Sequence, residues 1–128
     1  MIPPGVSLTV LRVLGGGLAL SLMIGEAIRT WGTGRPWPFW FDDFWSGGLL
    51  LAGAVLMTRP SPLRSHLFIA GWAACLGMLF GSFFGKIYDP GGSDPGNFDL
   101  GFLTILIGMA FATALVGLVC SLLEVARK

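Results

Sequence analysis

The chain has 128 residues, 54% of them hydrophobic and 12% charged, with a net charge of +1. A soluble domain carries about 25% charged residues, so this composition, with a mean hydropathy of +0.78, excludes an ordinary water-soluble domain and predicts an all-α, polytopic membrane protein. The near-zero charge and the lack of a basic patch exclude a nucleic-acid partner.

One domain over residues 1–128 is expected, a bundle of four transmembrane helices at about 6–28, 41–57, 63–87 and 100–123. Crossing about 30 Å of hydrocarbon takes roughly 20 residues of helix. Apolar runs this long must be helical, because lipid offers no partner to a free backbone group. The first run opens with Arg12 ahead of VLGGGLALSLMIG, which has the look of a secretory signal. Glu26-Ala27-Ile28-Arg29 is a poor cleavage site, so the helix is read as uncleaved. Gly17, Ser21 and Gly25 recur at i, i+4 along it. Glu26 falls near its outer end. An intramembrane acid points to proton or ligand chemistry, but Arg29 shares its face three residues on and Lys86 is a second candidate partner. A local ion pair predicts that Glu26→Gln folds normally; a transporter predicts that it loses function.

The stretch RTWGTGRPWPFWFDDFW follows. Trp31, Trp37, Trp40 and Trp45 suit an aromatic belt at headgroup level. Pro36 and Pro38 end the first helix and hold the loop extended. Asp42 and Asp43 are expected to cap the second helix; the alternative is that they face a ligand. The inner link TRPSPLRSH carries Arg59, Arg64 and the sole histidine, His66. In the third span Gly77, Gly81 and Gly85 make two successive G-x-x-x-G steps, which let helix backbones approach closely. Those steps imply packing within the bundle or a docking face for a second copy or another subunit. Cys75 lies mid-span and Cys120 nearer the inner end, so a disulfide is not expected.

The second outer loop contains Asp89-Pro90-Gly91 and Asp94-Pro95-Gly96, both turn signals. Asn97 or Asp99 is placed to cap the fourth helix. A weak calcium site from Asp89, Ser93, Asp94, Asn97 and Asp99 is the alternative, although the spacing is not that of an EF-hand. Thr113, Gly117 and Ser121 repeat the small-residue spacing in the fourth span. Arg12, Arg59, Arg64, Arg127 and Lys128 on one side outnumber Arg29, Arg35 and Lys86 on the other. The positive-inside rule then puts both termini in the cytoplasm, in a cell inner membrane.

The arginine opening the first span (Arg12-Val-Leu-Gly-Gly-Gly) precedes an acid, Asp43, that leads into Gly-Leu-Leu-Leu-Ala-Gly at 48–53. A basic inner turn at Arg59 and a compact third helix come next. Over residues 11–87 this resembles the DoxX-like membrane proteins. The resemblance implies a four-helix membrane fold and, as in members similar to quinol-oxidase accessory subunits, a quinone- or lipid-linked role. The residues themselves show no Ser-His-Asp set, no H-E-x-x-H and no cofactor motif, and one histidine cannot supply paired haem ligands. No enzyme is expected. The foremost reading is a structural or accessory subunit of a membrane complex. A small homo-oligomeric transporter or channel using Glu26 is the second, and a quinone- or lipid-linked redox accessory the third.

Overall fold

A computed structural model describes residues 6–93 and 95–126. Asp94, Arg127 and Lys128 lie outside the described residues. The chain forms α1 (Val6–Thr30), α2 (Pro38–Leu56), α3 (Pro62–Tyr88), a single 3-10 turn at Pro90–Gly92, and α4 (Leu100–Ala126). Among the described residues there is no strand. Each helix packs on its neighbour in sequence, and α1 also meets α4, which closes a ring of four.

Local chemistry sets the ends. Pro38 stands in the first turn of α2, where its missing N–H costs nothing. The Ser61 hydroxyl accepts the Arg64 N–H at 3.2 Å to cap α3. Asp99 does the same for α4, accepting the Phe102 N–H at 3.0 Å. Arg64 Nη1 donates to the Leu56 and Arg59 carbonyls beyond the end of α2, at 3.3 and 2.9 Å. At the same end Arg12 Nε donates to Ala54 O at 2.7 Å and Nη2 to Thr58 Oγ1 at 2.6 Å, which latches α1 to α2.

Three helices, α1, α3 and α4, are long and apolar enough to cross a membrane; α2 is not among them. It starts at Pro38 and spends its first turns on Asp42 and Asp43. The apolar remainder, Phe44 to Leu56, rises only about 20 Å at 1.5 Å per residue. The helix sides elsewhere are bare of polar cover. Ile24, Ile28, Ile105 and Val116 are all more than half exposed, which water would not tolerate over so continuous a surface and hydrocarbon would. At the end that carries the α1–α2 and α3–α4 loops, Trp31, Trp37 and Tyr88 are strongly exposed, as residues of an aromatic belt would be.

Inside the ring the core is densest around Trp72, Leu50, Cys75 and Leu79, each at most 2% exposed. Glycines permit the close approaches there. A Cβ on Gly71 would come within 2.5 Å of the Leu50 Cα, and one on Gly53 within 2.6 Å of the Phe68 Cα, so α2 and α3 touch backbone to backbone. A Cβ on Gly117 would overlap the Trp72 indole. Gly117 belongs to the small-residue repeat of the fourth span, which does pack inward, whereas the repeats of α1 and α3 behave differently. A Cβ on Gly17, Gly25, Gly77, Gly81 or Gly85 would meet nothing within 4 Å. Those glycines do not seat helix on helix within the chain, which corrects the packing expectation for them. Gly-x-x-x-Gly specifies small residues along one face; it does not say whether a neighbour or a space lies opposite.

Candidate functional site

The end of the bundle that carries the α1–α2 and α3–α4 loops gathers six ionisable residues, Glu26, Arg29, Arg35, Asp42, Asp43 and Lys86. Glu26, on the last turns of α1, is 4% exposed. Its Oε2 receives Arg29 Nη1 at 3.3 Å and its Oε1 receives Arg35 Nη1 at 2.7 Å. Arg29 was legible from its i, i+3 spacing. Arg35 was missed, because it lies nine residues away across an irregular loop. Gly32 and Gly34, with φ of 74° and 70°, bend that loop back over the helix end. The missed signal is simple: a cation in a short glycine-rich loop directly after a buried acid.

Asp42 and Asp43 do not cap α2, because the helix begins four residues before Asp42. Both line the cavity beside the same cluster, Asp43 at the same end as Glu26. Asp42 Oδ1 accepts the Asp43 N–H at 2.8 Å. Lys86 does not pair with Glu26. Its ammonium donates to Ser82 Oγ at 3.0 Å and lies 3.5 Å from Ser82 O.

The loop between α3 and α4 fixes the rim. Asn97 Nδ2 donates to the Ile28 and Trp31 carbonyls at 2.7 and 2.8 Å, and its own N–H bonds Arg29 O at 2.9 Å. Asn97 therefore ends α1 rather than starting α4. Asp89 accepts the Gly92 N–H at 3.2 Å within its turn. With Asp99 capping α4, the calcium candidates are engaged in backbone geometry, and Asp94 lies outside the described residues. No group of three metal-ligating side chains occurs among the described residues. Gly96 has φ of 61° and presses directly on the Arg29 carbonyl. Gly96→Ala should therefore destabilise the fold by about 1–2 kcal/mol, for the left-handed backbone alone, and loosen the outer rim. A lowered melting temperature in detergent checks this.

Beneath this cluster lies a cleft of about 670 Å³ between α1, α3, α4 and the start of α2, open along one side. Its walls run from Arg29 down to Val13 on α1, about 24 Å at 1.5 Å per residue. The upper end is charged, formed by Glu26, Arg29, Arg35, Asp42, Asp43 and Lys86. The shaft is apolar, walled by Leu18, Leu22, Met78, Leu79, Leu103 and Ile107. Gly17, Ser21 and Gly25 of α1 and Gly81 and Gly85 of α3 border this space. Their small side chains keep it open. Ser21 and Thr113 in the walls are already satisfied, donating to the Gly17 and Met109 carbonyls at 2.7 and 2.9 Å. The lower shaft therefore offers no free hydroxyl hydrogen from either.

His66 is exposed at the end opposite the ion cluster, and Cys75 and Cys120 are both free thiols. No family model, curated protein or solved structure matches the chain.

Proposed function

We propose that the chain is a small bilayer-embedded protein that holds an amphipathic, membrane-borne molecule in the cavity between α1, α3 and α4. The observation that carries this reading is the cavity's two-part lining: one charged end above a long apolar shaft. Its volume falls in the range of small-molecule sites, about 300–1,000 Å³. A purely structural subunit has no use for so large a gap beside a buried ion cluster. Apolar walls and a polar end match a molecule with a chain and a head. A proton-coupled transporter built on Glu26 is less well supported, since two guanidiniums already engage that carboxylate. In this reading α2 joins the other three helices in the membrane with its aromatic, acidic start at the outer headgroups. The termini face the cytoplasm by the distribution of arginine and lysine. The lipid- or quinone-linked role implied by the DoxX-like resemblance agrees with such a site. Accessory function within a larger complex is compatible with it, the bound molecule being the shared element.

Two substitutions on one helix test the reading. Gly81 borders the cavity, whereas Gly77, one turn away, faces open space outside its lining. Gly81→Phe should abolish retention of amphiphile by the purified protein, as read by native mass spectrometry, and Gly77→Phe should leave it unchanged. Equal retention in both variants would contradict the proposal.

A further inference from the structure

The cleft is long and narrow. Its volume of 670 Å³, spread over the stretch from Arg29 to Val13 of about 24 Å, gives a mean section of about 28 Å², a bore about 6 Å across. An α-helix with its side chains is about 10–12 Å wide, so the cleft does not take a helix from a second copy or from another subunit. Non-bonded carbons approach to about 3.5–4.0 Å, so one hydrocarbon chain fills a bore of this width and two side by side exceed it. The core holds the walls in place. Leu18 and Leu79 belong to the buried core, and Leu22, Met78 and Ile107 pack against it, so a wider bore would require a close-packed interior to shift. Cover is closest around the ion cluster. Glu26, Arg29, Lys86 and Leu103 there are each less than a tenth exposed, whereas Val13 and Met109, further along the lining, are 68% and 62% exposed. The loop before α4 closes over the covered end: Ser93 and Phe98 line the cleft, and Asn97 ties the loop to the Ile28 and Trp31 carbonyls. A two-chain lipid branches next to its head, so its second chain would have to leave the cleft at that covered end.

We propose that the cleft selects a single-chain amphiphile, one unbranched hydrocarbon tail with one polar head, over the two-chain lipids that surround the protein in a bilayer. This rests on the cleft reading above and adds the chemical class of the molecule. The tail lies in the shaft along Leu18, Leu79 and Ile107, and the width of the shaft is what keeps the second chain out. The head lies at the charged end, where three carboxylates, Glu26, Asp42 and Asp43, stand against three cations, Arg29, Arg35 and Lys86. A zwitterionic head suits a cluster of balanced charge, and it lets the number of chains be varied with the head held constant.

The test places the full chain in nanodiscs of dioleoyl phosphatidylcholine that contain a small fraction of oleoyl lysophosphatidylcholine. The two lipids share head and tail and differ in the number of tails. Native mass spectrometry counts the lipid that stays with the protein after release from the disc. The single-chain lipid should be enriched over its share of the disc by at least about tenfold, because a second chain in a filled bore meets the cost of overpacking. The enrichment should vanish in Gly81→Phe, which fills the cleft from α3; if that variant fails to fold, Ser21→Phe fills it from α1. Retention of the two lipids in proportion to their share of the disc would overturn the single-chain inference and leave the cleft reading standing. Enrichment of the two-chain lipid would do the same. Retention of neither lipid would overturn both readings. Enrichment that survives in the filled variant would place the selected lipid outside the cleft and overturn the inference.

Discussion

Glu26→Gln should destabilise the folded chain by about 3–5 kcal/mol, the usual cost of breaking a buried ion pair from one side. The amide keeps the shape and removes the charge. Arg29 and Arg35 approach different oxygens of the same carboxylate, whose side chain is only 3% exposed, so a single substitution withdraws the anion shared by two cations. The sequence, which offers one local pair with Arg29, predicts tolerance of this change; the second arginine reverses that expectation. Asp42→Asn is the control. Asp42 is half-buried, with no salt bridge among the described residues, and its hydrogen bond is with the next backbone N–H, so the effect should be smaller, about 1 kcal/mol or less. Equilibrium unfolding in mixed detergent measures both. Equal small effects would mean that the two arginines find other anions and that the triad is incidental.

Gly71→Leu should cost more than Gly81→Leu by several kcal/mol, although both are mid-helix glycines on α3. At Gly71 even a methyl group would press within 2.5 Å of the Leu50 Cα and 2.8 Å of its N. Backbone cannot rotate away as a side chain can, so α2 and α3 must separate, and overpacking of this kind costs about 1–3 kcal/mol before the rest of the leucine is placed. At Gly81 nothing lies within 4 Å. Leucine there gains up to about 1 kcal/mol of helix propensity over glycine and projects into the cavity. Gly81→Leu should therefore melt no lower than the wild type yet bind less amphiphile. Comparable losses of stability at the two positions would contradict the packing described here.

The contrast shows what a sequence of this kind makes legible. Hydropathy located α1, α3 and α4 to within a few residues, because an apolar run in lipid has no choice but helix. The start of α2 moved outward to Pro38, since a proline at the first turn opens a helix as readily as it closes a loop. Asp42 and Asp43 thereby passed from a cap to the wall of the site. Glu26 and Lys86 stood out as ionisable groups near the outer ends of apolar runs, but only the fold shows that they belong to one chamber without pairing with each other. Arg35 was hidden because loop closure, not periodicity, brings it to Glu26. The glycine steps were visible and their role was not: Gly71 and Gly53, which belong to no repeat singled out in the sequence, carry the contacts, whereas Gly81 and Gly85 keep a space.

An amphiphile bound as proposed lies in the cleft between α1, α3 and α4 rather than only around the bundle. A single-chain phospholipid with a photoreactive group along its chain, incorporated into bilayers with the wild-type chain and then activated, reports where the chain lies through peptide mass spectrometry. Leu18 and Ile107 line the cavity, whereas Ile24 and Ile105 are more than half exposed on the outside. Crosslinks at Leu18 and Ile107 that disappear in Gly81→Phe are the predicted result. Labelling confined to Ile24 and Ile105, unchanged by Gly81→Phe, would contradict it.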